Sequence, residues 1–249
     1  MTLFAISDLH ILGSDDPLYQ SLVVLIRDRA TSGDKLVLVG DIFDLFVGDK
    51  PVFIRRYQNF LEAVADASVR GVEVHYIEGN HDFFLKQVFS KMPRVRVHSH
   101  EVSLELDGQR FFFVHGDTVD RKDYGYRVLR FFLRSWMIRL FVSLAPGILI
   151  DRIGKMSSYQ SKKRKRMVSS DMPLLRMEYL RKIFRSYAAE KLALGFDFVV
   201  MGHCHDLDEM FFMIDGRKAQ YVNIGFPRLH GSFLSWSLGD EKIHREKLP

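Results

Sequence analysis

Five short polar motifs occur along this chain, and each comes directly after a run of apolar residues typical of a buried strand. The motifs are Asp8-Leu9-His10, Gly40-Asp41, Gly79-Asn80-His81-Asp82, His115-Gly116-Asp117 and Gly202-His203-Cys204-His205. Helical periodicity separates the first strand-like runs, which is typical of an α/β fold. Since ligands in α/β sheets meet beyond the carboxyl ends of the strands, we expect all five motifs along one rim.

Every motif supplies aspartate, histidine or asparagine. Carboxylate, imidazole and amide oxygen are ligands for Mn²⁺, Fe²⁺ or Zn²⁺, and two such ions about 3.5–4 Å apart are suited to cleaving phosphate esters. Alone, an Asp-x-His pair or a Gly-Asp step is as typical of a surface turn. Their joint order and shared position after strands favour a two-metal site, in which we expect Asp41 to be the carboxylate that bridges both ions.

Apolar periodicity predicts the elements that carry the motifs. Strands are expected over 3–7, 35–39, 72–77, 95–97, 102–106, 110–114 and 196–201, and helices over 21–30 and 54–68. Hairpin turns are expected at Asp107-Gly108, Asp215-Gly216 and Gly239-Asp240. His75 lies inside a predicted strand and is expected to be packed, whereas His98 and His100 are expected on the surface, away from the metal site.

Residues 120–189 interrupt the pattern and predict a basic, amphipathic helical cap, inserted into a core formed by 1–119 and 190–249. Residues 120–186 hold 17 Lys and Arg against 5 Asp and Glu, whereas the rest of the chain holds 19 against 26. A helix predicted over 128–136 would place the arginines at 127, 130 and 134 on one face. Such charge segregation indicates an anionic partner.

The run Lys162–Arg166 within this cap has three interpretations. It could be a solvated charged face, a contact with nucleic acid, or a site for substrate phosphates or anionic lipid. It lacks the interleaved aromatic residues that stack on nucleic-acid bases. The apolar, arginine-rich stretch upstream favours contact with a membrane surface.

Cysteine content and the amino terminus bear on the compartment. Cys204 is the single cysteine, so no intrachain disulfide can form, and we expect it to be a buried structural thiol in a reducing compartment. Because the first residues carry no basic region ahead of Asp8, no signal peptide is expected. The uncharged stretch 140–150 is shorter than the about 20 residues that cross a bilayer. These features predict a cytoplasmic protein that does not span the membrane.

The five motifs together resemble those of the calcineurin-like metallophosphoesterase superfamily. The resemblance implies a four-layer α/β/β/α sandwich with two metal ions at the strand rim. One ion would be held by Asp8, His10, Asp41 and His205, and the other by Asp41, Asn80, His115 and His203. We expect two divalent ions, Mn²⁺ first, with Fe²⁺ and Zn²⁺ as alternatives.

A narrower resemblance follows the fourth motif, because the run from His115 to Arg127 is similar to the bacterial UDP-2,3-diacylglucosamine pyrophosphatases of lipid A synthesis. Those enzymes also carry an apolar, basic cap at this place. The resemblance implies substrate contacts from Asn80, Asp123, Tyr126, Arg127, Ser161, Lys162 and Lys165. Two positions differ: His81 stands where that subfamily usually has arginine, and Asp206-Leu207 stands where it usually has Arg-Pro.

The resulting hypothesis is hydrolysis of the diphosphate of UDP-2,3-diacylglucosamine to UMP and lipid X by attack of a metal-bound hydroxide on phosphorus. His81, oriented by Asp82, would protonate the leaving oxygen or stabilise the transition state. The expected partners are a nucleotide-linked lipid and an anionic membrane surface, with the protein peripheral on the inner membrane and no nucleic acid bound. The alternatives are a metallophosphoesterase of another nucleotide or lipid diphosphate, a nuclease, and a non-catalytic binding module.

Overall fold

The structure of the chain is a computed structural model that describes residues 1–154, 156 and 172–249. Its strands are β1 Thr2–Ile6, β2 Lys35–Leu38, β3 Phe46–Val47, β4 Glu73–Ile77, β5 Asp82–Phe83, β6 Val95–His98, β7 Glu101–Leu106, β8 Gln109–Val114, β9 Phe198–Met201, β10 Glu209–Ile214, β11 Arg217–Asn223, β12 Ser232–Ser237 and β13 His244–Lys247. Its helices are α1 Pro17–Val24, α2 Pro51–Arg56, α3 Gln58–Arg70, α4 Lys86–Phe89, α5 Tyr124–Leu133, α6 Trp136–Leu144, α7 over 147–154, α8 Met172–Ala193 and α9 Pro227–His230.

Two sheets face each other, and alternating side chains along their strands build three apolar layers. On β1, Ala5 points between the sheets, while Phe4 packs outward beneath α1 and α3. On β8, Phe113 points between the sheets, and Phe112 packs outward beneath α8. The helices therefore cover both outer faces, and the predicted α/β/β/α sandwich is confirmed.

The strand order places the ends of the central strands on one rim. The first sheet runs β13-β12-β1-β2-β4-β6, with β1, β2, β4 and β6 parallel. The second runs β10-β11-β9-β8-β7, with β8, β9 and β11 parallel. The carboxyl ends of β1, β2 and β4 carry the first three motifs, and those of β8 and β9 carry the last two. The predicted convergence of strand ends is therefore present.

Several elements differ in detail from the sequence prediction. The predicted helix over 54–68 is two helices, because the backbone of Tyr57 leaves the helical region, at φ −113° and ψ 25°. The ring of Tyr57 is buried against Phe43, with the ring centroids 3.9 Å apart.

The first helix begins at Pro17, where Asp16 accepts a hydrogen bond from the Leu18 amide. The helix continues over Leu25–Arg29 as a π-helix. The helix α9 lies where only hairpins were expected.

The inserted region begins with α5, α6 and α7, which we call the cap helices. A bidentate ion pair between Arg56 on α2 and Asp151 on α7 ties them to the core, with both N–O distances 2.8 Å. The predicted division at residue 189 falls inside α8, whose Phe184 and Leu192 are buried against the second sheet. Within the described ranges, we find no helix with the length and apolar character needed to cross a bilayer.

His75 is packed, as predicted, and His98 is half-buried beside it rather than on the surface. The two rings stack with centroids 5.3 Å apart, and His75 Nδ1 lies 3.1 Å from His98 Nε2. On the other side, His75 Nε2 lies 3.2 Å from a Glu73 carboxylate oxygen. Lys35 and Arg96 also pair with Glu73. Burial lowers the pKa of His75 to about 4, since Glu73 offsets only part of its cost.

This pKa predicts an acid-sensitive core. The folded pKa of His75 is below its ordinary value of 6.5, so the unfolded chain binds a proton first as pH falls. The contribution of neutral His75 to the free energy of unfolding is fully present above pH 6.5. This contribution is lost as the pH falls from 6.5 to about 4, by at most about 3 kcal/mol. We expect His75→Gln to reduce the loss of unfolding free energy between pH 7.5 and 4.5, measured by urea denaturation. The exposed His244→Gln should leave this loss unchanged; an equal effect would contradict the assignment.

Candidate metal centre

The motif backbones adopt an uncommon conformation where they meet. Five non-glycine residues of the motifs have left-handed φ angles: Asp8 at 54°, His10 at 46°, Asp41 at 53°, His203 at 67° and His205 at 59°. A non-glycine residue in this region costs about 1–3 kcal/mol and persists only where its surroundings hold it. Concentrated strain of this kind is typical of a functional site.

Hydrogen bonds between the motifs supply that restraint. The amide of Asp8 donates to the Gly40 carbonyl at 3.1 Å, which joins the first two motifs. The His81 amide donates to Asp41 Oδ1 at 2.9 Å, and the His203 amide donates to Asp8 Oδ2 at 2.9 Å. The Asp8 carboxylate therefore links the two sheets, and the Asp41 carboxylate links the second and third motifs within the first sheet.

Two glycines are required by close approach. A side chain at Gly79 would overlap the Asp41 carboxylate and amide, and a side chain at Gly202 would overlap the Asp8 carboxylate and the Ser7 hydroxyl. The motif glycines therefore let neighbouring backbones come close enough for these hydrogen bonds.

The candidate ligand atoms form two adjacent clusters. Asp8, His10 and His205 place one donor atom each within 4.8 Å of one another, and Asp41, His115 and His203 form a second group on the same criterion. The first cluster contains three of the four residues predicted for one ion, without Asp41, and the second contains three of the four predicted for the other, without Asn80. Asn80 lies near the second cluster, with its Oδ1 3.3 Å from His115 Nε2.

Asp41 lies between the two clusters. Its Oδ2 is 3.9 Å from His10 Nε2 in the first cluster and 3.5 Å from His115 Nε2 in the second. Burial opposes the charge on this carboxylate, but the imidazoles of His115, His81 and His10 together outweigh burial and hold the pKa of Asp41 well below its usual value. The Asp41 carboxylate therefore lies close to one histidine of each cluster.

The imidazoles are oriented for ligation. His115 Nδ1 lies 2.9 Å from the Val39 carbonyl, which assigns a proton to Nδ1 and turns Nε2 toward Asp41. Burial lowers the pKa of His10 and of His203 to about 4 each, so both rings are neutral at pH 7, the form that binds metal. Burial also opposes the charge on His115, but Asp41, Asp8 and Asp117 together outweigh burial and raise the pKa of His115 to about 10.

A buried carboxylate oxygen of Asp8 indicates whether the clustered residues are suited to bind a cation. Asp8 is fully buried, and its Oδ1 makes no hydrogen bond. His205 Nε2 lies 3.4 Å away, outside hydrogen-bonding geometry. Unpaired buried carboxylate oxygens are costly, and a divalent cation shared with imidazole nitrogens would satisfy this one. The donor set therefore fits divalent metal ions.

The surroundings of His81 differ from the sequence expectation. Asp82 does not orient its ring: the buried Asp82 carboxylate accepts from the amides of Asp41 at 3.0 Å, Ile42 at 2.8 Å and Gly79 at 2.8 Å, and from the Tyr76 hydroxyl at 2.7 Å. His81 Nδ1 instead lies 2.8 Å from the Asp44 carbonyl. The physical reason is that Asp82 lies in the short strand β5 and points into the core.

Asp44 was not singled out from sequence. Its carboxylate forms a third group of possible ligand atoms with His10 and His81, all within 4.8 Å of one another. The ring centroids of His10 and His81 are 4.9 Å apart, edge to face. Asp44 follows Asp41 by three residues in the same loop, a spacing that could have drawn attention to it.

The expected substrate-binding residues in the described cap lie at different distances from the centre. The ring of Tyr126 is 6.2 Å from that of His203, and its hydroxyl donates to Asp117 at 2.7 Å. Asp123 caps α5 by accepting from the Tyr126 amide at 2.9 Å. Arg127 is exposed and donates to the Arg121 carbonyl at 3.2 Å. Ser161, Lys162 and Lys165, with the rest of the basic run, lie outside the described residues.

Arginines hold the motif loops from outside. Arg130 on α5 pairs with Asp117 at 2.6 Å. On α8, Arg181 pairs through two hydrogen bonds with Asp206, at 2.6 and 2.7 Å, and Arg185 does the same with Asp208. Asp206, at the position that distinguishes this chain from the subfamily pattern, is therefore neutralised by Arg181.

The loop after β11 completes the rim. The ring of Phe226 stacks on His205, with centroids 4.5 Å apart and planes 5° from parallel. Arg228 donates to the carbonyls of Leu9 and His10 at 3.1 Å each and pairs with Asp16 at 2.6 Å. The sequence analysis did not single out these residues.

Cys204 is buried, as expected, between two candidate ligands. Its Sγ lies 3.1 Å from the Asn223 amide nitrogen. Burial raises the pKa of the thiol to about 12. The neutral thiol is inert at physiological pH, in agreement with a structural role.

Comparisons with known proteins identify a matching family, curated relatives and a similar solved structure. A family model for the calcineurin-like phosphoesterases matches residues 1–207. A UDP-2,3-diacylglucosamine hydrolase of Aeromonas salmonicida is 27% identical over 252 residues, covering 100% of this chain and 94% of the relative. One of Photorhabdus laumondii is 29% identical over 208 residues, covering 82% and 81%. A solved archaeal phosphodiesterase is similar with a TM-score of 0.44 and 14% identity over 100% of both chains.

The position of Asp41 between the clusters predicts that its loss affects both. We expect Asp41→Ala to lower hydrolysis of bis(p-nitrophenyl) phosphate more than about 100-fold, since even outer-shell changes at metal sites cost 10–100-fold. Metal content, measured by plasma mass spectrometry after dialysis against Mn²⁺, should fall as well. His100→Ala, an exposed histidine outside both clusters, should change neither quantity. Retention of most activity by Asp41→Ala would exclude this centre.

Proposed function

Because the chain belongs to the calcineurin-like phosphoesterase family, we propose that it hydrolyses the diphosphate of UDP-2,3-diacylglucosamine to UMP and the acylated glucosamine 1-phosphate. It is a metal-dependent hydrolase, and its family uses a pair of divalent ions. The relatives named for this substrate align along the chain, with 100% of it covered in one case. The observation that carries the proposal is the placement of an apolar helical cap directly beside the two ligand clusters.

The proposed ligands follow the two clusters. Asp8, His10, Asp41 and His205 would hold one ion, and Asp41, Asn80, His115 and His203 the other, with Mn²⁺ as the expected metal. Two bound divalent ions supply positive charge that polarises the phosphoryl group and lowers the pKa of water. The chain contributes imidazoles whose orientation is fixed by contacts such as that of His115 with the Val39 carbonyl. It also contributes the Asp41 carboxylate, whose Oδ1 accepts a hydrogen bond from the His81 amide.

His81 is the proposed proton donor to the leaving oxygen. Its Nδ1–H is held by the Asp44 carbonyl, so in the imidazolium form the Nε2–H is free to be donated. The Asp44 carboxylate lies close to the same ring. We propose that Asp82 acts indirectly, because its hydrogen bonds hold the backbone of the second and third motifs rather than the imidazole.

The cap helices are proposed to bind the acyl chains and to contact the membrane. They expose a continuous series of large apolar side chains, which on a soluble surface is typical of an interaction site. The series includes Val128, Phe131, Phe132, Trp136, Leu140, Leu144 and Ile148. Phe131 is 82% exposed, although it lies on the same helix as Tyr126 at the metal centre.

In this proposal the core performs the chemistry and the inserted region, predicted as 120–189, recognises the lipid. Asp123, Tyr126 and Arg127 remain the proposed substrate contacts of the described cap, together with Asn80. The predicted contacts of Ser161, Lys162 and Lys165 extend the same function. An anionic leaflet would attract the exposed arginines, and we propose that the enzyme is peripheral on the cytoplasmic side of the inner membrane.

The role of His81 predicts a specific defect. His81→Ala should lower kcat by about 10²–10⁴-fold, the usual range for general acid–base catalysis, while the bound metal stays unchanged. Stopped assays of UMP release and metal analysis of the same samples measure both quantities. His81→Arg should retain part of the activity, because an arginine can also neutralise a leaving oxygen. Loss of metal from His81→Ala would instead identify a ligand.

The substrate proposal is tested by comparing UDP-2,3-diacylglucosamine with a UDP-sugar that lacks acyl chains, with DNA as a third substrate. We expect kcat/KM for the acylated substrate to exceed that for the UDP-sugar by more than about 100-fold, since each buried CH₂ contributes about 0.8 kcal/mol. Equal rates would remove the lipid from the proposal and favour a soluble nucleotide diphosphate. Cleavage of DNA alone would favour the nuclease alternative.

Membrane contact has a separate readout. We expect the protein to sediment with anionic vesicles of phosphatidylglycerol at low salt and to dissociate as salt rises, because exposed charge contacts are screened. Phe131→Ser should weaken this binding. Leu238→Ser is the matched control, since Leu238 is 57% exposed but lies in the loop after β12, where its amide bonds to the Met1 carbonyl far from the cap.

A further inference from the structure

Arg134, at the end of α5, reaches from the cap into the third motif. Its Nη1 donates to Glu78 Oε2 at 2.8 Å, and its Nη2 donates to the Gly79 carbonyl at 2.8 Å. Nη1 also lies 3.3 Å from the Ser99 carbonyl. The side chain is 15% exposed. One guanidinium of the cap is therefore fixed to the peptide that directly precedes Asn80.

Glu78 extends this contact to the far end of the same loop. Its carboxylate is buried, and Oε1 accepts from the Leu85 amide at 2.8 Å while Oε2 pairs with Arg134. A single carboxylate thus closes the segment 79–84. Because Arg134 neutralises Glu78, the closure depends on a charge supplied by the cap.

The Gly79 peptide is held from both sides. Its amide donates to Asp82 in the core, and its carbonyl accepts from Arg134 in the cap. A second cap arginine, Arg139, lies 5.0 Å above the ring of Phe84 at the other end of the loop. The loop that presents Asn80 and His81 is consequently clamped between the two parts of the chain.

From this geometry we infer that Arg134 is a positioning residue, through which the cap sets the placement of Asn80 and His81 over the reacting phosphate. The inference rests on the proposed function of these two residues but not on the identity of the lipid. Arg134 is poorly placed to bind a substrate anion itself, because both terminal nitrogens already donate to the loop and little of the side chain is exposed. It acts through the backbone of the third motif.

The test uses the full chain loaded with Mn²⁺ and bis(p-nitrophenyl) phosphate, a substrate too small to need the cap for binding. Arg134→Ala should lower kcat about 10–100-fold, the scale expected for a misplacement of about 1 Å at a reacting group, with KM and metal content little changed. Arg134→Lys should fall between Arg134→Ala and the wild type, since an ammonium can reach Glu78 or the Gly79 carbonyl but not both in fork geometry. Arg152→Ala, which removes an exposed charge from α7, is the matched control and should leave kcat unchanged.

Hydrogen exchange gives a readout that needs no activity. In Arg134→Ala, the amides of a peptide covering 78–85 should exchange at least about tenfold faster. The reason is that the loop is no longer restrained by Arg134, so the hydrogen bonds of the His81 and Leu85 amides open more often. Peptides from β1 and β8 should exchange as in the wild type. Unchanged kcat for the small diester together with unchanged exchange over 78–85 would overturn the inference. Arg134→Ala could instead accelerate hydrogen exchange throughout the protein. The inference is then still supported if Glu78→Gln accelerates exchange only over 78–85. If Glu78→Gln also accelerates exchange throughout the protein, Arg134 is only part of a stabilising ion pair.

The two proposals fail separately. If the wild type cleaves the small diester but not UDP-2,3-diacylglucosamine, the lipid substrate is wrong while the Arg134 comparison remains valid. If the lipid is cleaved and Arg134→Ala impairs only that reaction, with the diester unaffected, then Arg134 contacts the lipid substrate and the positioning role is excluded.

Discussion

Two buried carboxylates, those of Asp8 and Asp41, impose the main constraint on this structure. Removing charged groups from water is costly unless they are paired and hydrogen-bonded, and both are almost fully buried. Imidazoles from both sheets and backbone amides of other motifs surround them. Five motif residues adopt a strained left-handed backbone conformation, which lets this many donor groups surround two side chains.

The same constraint explains why the motif loops are held so firmly from outside. Arginines bind the loops of the first, third, fourth and fifth motifs: Arg228 at Leu9 and His10, Arg134 at Gly79, Arg130 at Asp117, and Arg181 at Asp206. Paired guanidinium–carboxylate contacts add geometric precision as well as energy. Several positive charges of the inserted region are therefore used inside the molecule. The basic character that indicated an anionic partner belongs in part to this internal framework.

The cap thus has two connected roles. Its outer surface carries exposed apolar side chains. On its inner surface, Arg130 and Arg134 contact the motifs that hold and orient the candidate catalytic groups. A recognition element tied to the chemistry in this way can make turnover depend on how the cap is placed. That arrangement suits an enzyme whose substrate has a reactive diphosphate at one end and a lipid at the other.

By itself, the sequence determined the main strands that carry the motifs and the polar residues that follow them, because strand periodicity and strand-end position are local properties of the chain. The four layers were implied by the family resemblance, and the order of the strands within each sheet came from the structure. The sequence also located the cap, although not the packing of α8 on the core. Only the tertiary structure decided that Asp44, and not the adjacent Asp82, faces the ring of His81, and that Arg134 grips Gly79. Those contacts join residues 37 and 55 positions apart. They depend on the direction in which each side chain leaves a strained loop, and no local pattern of residue types encodes that direction.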